Sequence, residues 1–226
     1  MKFPSEIELI VVLKQKLKQI FSRDNIELLE EVSLGYGIAD IVICNVDYPK
    51  IPENPSEIFL NRSDINIYNI ISGEASVTFD FIYDTTRSSK QSISGSLTKL
   101  ITLGYIKQLD NYFTIQKQYE LPYKSSFAIE AKLKDWKGAL TQAQRYKWFA
   151  EYSFVVMDEH YSQPAIRNID TFNKYNVGLA TINTEGEFNR IYNPKRQKPY
   201  DPIMQVLLSE KIKCYSMLRN DFHTFK

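Results

Sequence analysis

The chain has 226 residues, 43% of them hydrophobic and 24% charged, which suffices to bury a substantial core in one large domain or two small ones. Its net charge of +1 excludes a global basic field, so a polyanionic partner would have to be met by charge segregated locally. Two cysteines, Cys44 and Cys214, rule out a disulfide framework and a four-cysteine zinc site, and eight scattered glycines form no phosphate-cradling loop. The two histidines, His160 and His223, have no metal-box spacing and no evident triad partner, which argues against histidine-based hydrolysis. The 15 Tyr and 13 Phe suit surfaces that are both apolar and hydrogen-bonding, and core packing explains them equally well. A reducing cytoplasm is the expected compartment. Residues 7–13 are interrupted by Glu8 and followed by Lys14, Lys16 and Lys18, an amphipathic pattern and no signal peptide, and no run approaches the ~20 apolar residues of a membrane span.

In chain order, Ser5 with Glu8 three positions on is a capping box, and Leu9, Leu13 and Leu17 recur at helical spacing, predicting a helix over about 6–21. Strands are expected at 31–34 and 38–44, joined by the turn Gly35-Tyr36-Gly37. Prolines at 49, 52 and 55 then break the pattern, and a second break falls at Leu121-Pro122. Residues 49–121 are therefore expected to form an insert, with 1–48 and 122–226 as one discontinuous domain around it.

Within the insert, residues 64–71 and 77–85 read as helical, the second with enough Phe, Ile and Tyr to suit a strand as well. Ile93, Leu97, Leu100 and Ile101 mark a third helix, closed by Gly104, after which residues 105–109 and 112–115 form a hairpin about Asp110-Asn111. Helix, glycine and hairpin over 97–115 resemble the recognition helix and wing of winged helix-turn-helix domains. Beyond the insert, strands are expected at 126–133, 152–157 and 177–182, and helices at 135–150, 164–175 and 202–218. That order predicts a mixed α/β sheet with helices on its faces.

Alternation along 127–134 puts Glu130 and Lys132 on the same strand face, where an acid could ligate a hard cation while the lysine orients or deprotonates a water. An exposed strand carrying a weak ion pair is the competing account. Asp40 is the sole charge in Ile38-Ala39-Asp40-Ile41-Val42-Ile43-Cys44, a run apolar enough to be buried on both faces, so it needs a partner or a metal. A hydrogen-bonded structural aspartate satisfies the same need.

An acid on the second strand, Glu-x-Lys on the third, a helix with Gln142-Ala143-Gln144-Arg145-Tyr146 and the strand Phe154-Val155-Val156-Met157 resemble, in that order, the PD-(D/E)XK (restriction-endonuclease-like) nuclease superfamily. The resemblance covers residues 1–48 and 122–182. Ala39 stands where the family name has proline, and the insert accounts for the long separation of Asp40 from Glu130. The resemblance implies a restriction-endonuclease-like mixed sheet flanked by helices, with an inserted winged-helix domain, cleaving DNA phosphodiesters with Mg²⁺, or Mn²⁺ in its place. It implies Asp40, Glu130 and the Ala131 carbonyl as metal ligands, Lys132 as the water-activating group, and Gln142 and Tyr146 beside the site, with Tyr146 toward nucleic acid. A solvated helix face explains the last two equally well. Glu6 matches a first-helix acid near the metal in several members, and favourable charge at a helix N-terminus accounts for it as readily.

In the insert, Ser94, Ser96, Thr98, Lys99 and Thr102 with Arg87 and Lys90 are expected to contact phosphates and base edges. Lys195-Arg196-Gln197-Lys198 would add backbone contacts or be a solvated charge run. The expected partner is DNA, with a homodimer or a protein partner left open. Two other readings stand beside the nuclease: a non-cleaving DNA-binding regulator or scaffold on the same fold, and a nuclease subunit that docks a protein.

Overall fold

A computed structural model describes residues 1–21, 25–51 and 58–223, the last six of these by backbone alone. Prolines 52 and 55 of the expected break lie outside the described residues. Two compact units result, one comprising residues 1–48 and 123–205 and the other residues 49–122 and 206–226. The closing helix, which the sequence groups with the flanking domain, joins the second unit from Val206 onward.

The first unit is an α/β layer structure on a mixed six-stranded sheet of order β1-β2-β6-β7-β8-β9. Strand β2 (Ile38–Val46) lies between β1 (Ile26–Ser33) and β6 (Tyr123–Lys132) and is antiparallel to both. Strands β7 (Tyr152–Asp158) and β8 (Gly178–Ile182) continue parallel to β6, and β9 (Phe188–Tyr192) closes the edge antiparallel. Helix α1 (Glu6–Ile20) starts where the Ser5 side chain accepts from the Glu8 N–H, satisfying one of the donors a helix start leaves unpaired. It buries Leu9, Leu13 and Leu17 on one sheet face against Ile41, Ile43, Ile129, Ala131, Val156, Ala180 and Ile182. Helix α5 (Trp136–Tyr146) packs against β2, β6 and β7 and buries Ala139, Leu140, Ala143 and Tyr146. Since neighbouring strand residues face opposite ways, Glu130 is directed away from the layer that holds Ile129 and Ala131.

Three differences from the expected elements have local causes. The helix expected over 135–150 ends at Tyr146, whose carbonyl takes the N–H groups of both Phe149 and Ala150. The helix expected over 164–175 is broken into α6 (Gln163–Arg167) and α7 (Ile169–Tyr175) at Asn168, whose side-chain amide donates to the Pro164 carbonyl. Such side-chain bonding competes with the helix's own ladder. Strand β9 was not expected: its exposed Asn189, Arg190 and Ile191 show no alternation of apolar and polar residues.

The second unit holds α2 (Arg62–Gly73), a two-residue strand β3 (Val77–Thr78), α3 (Phe79–Thr86), α4 (Lys90–Thr102) and the hairpin β4 (Ile106–Leu109) and β5 (Tyr112–Ile115), with α8 (Pro202–His223) contributing from Val206. The three strands pair in the order β3-β5-β4. Residues 77–85, ambiguous between strand and helix, are both in succession, because Thr78 caps α3 by accepting from the Phe81 N–H. Gly104 has φ 72°, as a left-handed helix cap requires.

Candidate active site

The ends of β2 and β6 bring together the acids and the lysine picked out in the sequence. Asp40 stands one position before Ile41, which pairs with Ile129, and its Oδ2 accepts the Ala131 N–H at 2.7 Å. Glu130 is 1% exposed, with Lys132 Nζ 3.4 Å from its Oε1. The same ammonium donates to Glu6 Oε2 at 3.1 Å. Lys132 therefore links the start of α1 to the buried acid on its own strand. Asp40 is half-buried, not enclosed on both faces as its apolar run implies, and the Ala131 N–H supplies a partner the sequence could not show.

Tyr146 is fully buried and cannot touch a nucleic acid, which corrects its expected role. Its hydroxyl lies 2.6 Å from the Ile38 carbonyl and also bonds Glu130 Oε2. A phenol carries one proton, and Ile38 can offer none. Tyr146 therefore shares its single proton between the Ile38 carbonyl and the Glu130 carboxylate, to both of which the hydroxyl donates. Burial, and then the neighbouring Asp40 charge, push the Glu130 carboxyl up to about 7, while the Tyr146 and Lys132 contacts pull the other way. Asp40 is likewise raised, by burial first, against the lowering effect of the Ala131 N–H and Lys132; Glu6 and Glu31 add to the rise. On Lys132 burial works to lower the ammonium, and the bonded Glu6 together with Glu130 and Asp40 overcome it, so the net shift is upward. Lys132 is thus held as a cation, and Glu130 is the group poised to exchange a proton near neutrality.

Glu31 was missed in the sequence. It lies across the β1–β2 ladder from Asp40, between the pairs Glu30–Ile41 and Val32–Ala39, and has φ 49° inside a strand. A non-glycine residue in that region costs on the order of 1–3 kcal/mol, and such strain clusters at functional positions. A strand pattern carries no mark of it. Gly37, in the turn before Ile38, has φ 117°, and a β-carbon there would lie 3.6 Å from the Tyr146 ring.

The donor set is chemically suited to a hard divalent cation: carboxylates of Asp40, Glu130 and Glu6, and the Ala131 carbonyl. Crowded, buried acids with raised proton affinity are the groups a cation would relieve. Among the described residues, however, no three His, Cys, Asp or Glu side chains are gathered as a ready metal cage. Lys132 occupies the meeting point of Glu6 and Glu130 instead. Gln142 is half-buried on α5, one turn before Tyr146.

In the second unit, Arg87, Lys90, Ser94, Thr98 and Thr102 are exposed, whereas two expected contacts turn inward. Ser96 is 4% exposed, within the packed side of α4. Lys99 Nζ is bound to the buried Asp64 carboxylate at 2.6 Å and to the Phe59 carbonyl at 3.3 Å. Helical spacing places Lys99 with the inward Ser96 as much as with the exposed Thr102, and the sequence could not show the acid waiting for it.

The described chain is thus an α/β protein with an acidic, lysine-containing site at the end of a mixed sheet. No family model, curated protein or solved structure matches it.

Proposed function

We propose that the chain is a divalent-metal-dependent DNA endonuclease of the PD-(D/E)XK type, with the second unit serving as a winged-helix insert that holds the duplex. The observation that carries this reading is the meeting of Asp40, Glu130 and Lys132 at neighbouring ends of β2 and β6, joined by the bond from the Ala131 N–H to Asp40. Three antiparallel strands followed by a parallel one, with the acid on the second and Glu-x-Lys on the third, support it further.

A Mg²⁺ ion held by Asp40, Glu130 and the Ala131 carbonyl, with Glu6 beside them, would lower the pKa of a bound water and neutralise charge on the phosphate. The chain's own side chains set the rest. Tyr146 fixes the Glu130 carboxyl, and Asp40 is anchored by the Ala131 N–H. Lys132, kept protonated by its acidic neighbours, binds and orients an anionic oxygen or the attacking water. Glu6 tethers that ammonium, and an incoming phosphate would compete with it for Lys132.

Cleavage of supercoiled, linear, single-stranded and branched DNA, with and without Mg²⁺ or Mn²⁺, tests the reading beside Lys132→Ala. We expect metal-dependent cutting by the wild type and its loss in the variant. Wild-type protein that binds duplex normally and cuts nothing would instead be a non-cleaving DNA-binding regulator. The engagement of Lys132 with both Glu6 and Glu130, with no metal cage among the described residues, is what favours that second reading.

A further inference from the structure

We infer that the first unit carries an aromatic platform for unpaired nucleotides, made by Tyr36, Trp148 and Tyr200 and fringed by Lys195 and Lys198. The inference rests on reading the neighbouring acidic site as one that acts on nucleic acid, and it names the form of that substrate.

The rings form a continuous array. Tyr36 and Trp148 stack with centroids 4.4 Å apart and planes 16° from parallel, and Tyr200 meets Trp148 edge-on at 5.9 Å. Two of the three are nonetheless open, Trp148 at 37% and Tyr200 at 51% exposure, while Tyr36 is half-buried. Apolar rings left at a surface ordinarily mark an interaction site when several adjoin.

The backbone beneath them is fixed. Tyr200 N–H donates to the Lys147 carbonyl and Asp201 N–H to the Trp148 carbonyl, each at 3.1 Å, while the Gln197 side chain donates to Tyr200 Oη at 2.8 Å. Gln197 and the adjoining Lys198 are thereby held beside the rings, Lys195 two residues earlier is anchored through its backbone to the Asn176 side chain, and both lysines are exposed. Arg196 has a different task, paired with Glu151 at 2.6 Å. Rings held by the backbone beside exposed cations are what single-stranded nucleic acid selects, because every base offers a π face and every linkage a negative charge.

The platform adjoins the catalytic machinery through the chain itself. Tyr36 belongs to the turn that leads into Ile38, the residue whose carbonyl meets the Tyr146 hydroxyl, and Trp148 follows closely after Tyr146. A protein or membrane partner would suit the rings as well, but the flanking lysines and the phosphodiester chemistry proposed next to them favour a nucleic-acid strand. A frayed end, flap or junction would present unpaired bases here while a neighbouring phosphate reaches the acids.

The test is binding of labelled oligothymidylate, oligouridylate and a matched duplex to the full chain without divalent metal, for wild type, Trp148→Ala, Trp148→Phe and Tyr200→Ala. Thermal melting checks that each variant is folded. Loss of one stacked base should weaken oligonucleotide binding about tenfold in the two alanine variants, with most affinity kept by Trp148→Phe and duplex affinity unchanged. Equal losses on both oligonucleotides support recognition of any unpaired base, and a loss on oligothymidylate alone assigns the site to DNA. Wild-type protein that ignores both oligonucleotides, or folded alanine variants that bind them normally, would overturn the platform. Because no metal is present, this outcome is independent of cleavage: cutting with no stacking leaves the nuclease reading intact, and stacking with no cutting leaves a single-strand binder.

Discussion

Glu130 is the residue on which chemistry and stability oppose each other. Its carboxyl rises from an ordinary 4.5 to about 7 in the folded chain. A group whose proton is held more tightly when folded lends stability below its unfolded pKa and loses it as pH climbs through the folded value. Metal-free protein should therefore lose stability between about pH 4.5 and 7, by on the order of 3 kcal/mol for a gap of that size. Glu130→Gln, which keeps the shape and cannot ionise, should flatten this part of the profile while abolishing cleavage; thermal unfolding at pH values either side of that window measures the first effect. A wild-type melting temperature that rises across the window would refute the assignment. Tyr146→Phe makes the complementary case. Removing a hydroxyl that lowers the Glu130 pKa raises that carboxyl further, so the acid limb of the activity profile should move to higher pH. The Ile38 carbonyl also loses its donor, a part-buried bond worth about 0.5–1.5 kcal/mol. How far these roles were legible differs by residue. Alternation along a strand suffices to aim Glu130 and Lys132 the same way, and a lone acid in an apolar run suffices to single out Asp40. The burial of Tyr146 was not legible, because a helical spacing from Gln142 says that the two share a face without saying which way the face looks. Glu31 was not legible either, since its left-handed backbone arises from the geometry of a ladder and leaves no trace in residue type.

At the scale of elements, α1 shows why periodic segments are readable. Leu9, Leu13 and Leu17 recur at the period that puts them on one stripe, and all three are buried. Leu13→Ala should cost about 2–5 kcal/mol in chemical denaturation, with a cavity left against the sheet. It should also weaken catalysis beyond the loss of stability, because the start of α1 positions Glu6 against Lys132. Full activity at a temperature where the variant is folded would argue that Glu6 has no role. Gly178 is a different kind of element-level constraint. A β-carbon at this first residue of β8 would lie 2.2 Å from the Phe154 ring on the neighbouring strand, so Gly178→Ala must displace that ring. A loss of about 1–3 kcal/mol is expected by equilibrium unfolding. Elements whose shape depends on such contacts were the ones the sequence left obscure. Strand β9 owes its existence to pairing with β8, and the break between α6 and α7 to one asparagine side chain. Both depend on partners distant from the local pattern.

The whole molecule balances 28 basic against 27 acidic residues, so attraction to a polyanion cannot come from its net charge of +1. It must come from cations that are exposed and uncommitted to an acid, and the second unit separates two kinds of basic residue on this criterion. Arg87 and Lys90 are exposed at the approach to α4, with Arg87 held outward by the left-handed cap of α3 and Lys90 5.7 Å from the Tyr83 ring. Lys99, though on the same helix as Lys90, is engaged by Asp64. Each phosphate contact releases counterions and steepens the fall of affinity with salt, by about 0.9 in the logarithmic slope on duplex DNA. Arg87→Ala and Lys90→Ala should each weaken duplex binding and reduce the slope by about 1, with little effect on unfolding. Lys99→Ala should do the reverse: it strands a buried carboxylate, destabilises the unit by up to about 3 kcal/mol, and leaves the slope unchanged in the folded fraction. Duplex titrations over a range of salt, paired with unfolding curves for the three variants, separate the two outcomes. Identical slopes for Arg87→Ala, Lys90→Ala and wild type would remove this face of α4 from duplex recognition, and the neutral charge balance would then favour a protein as the second unit's partner.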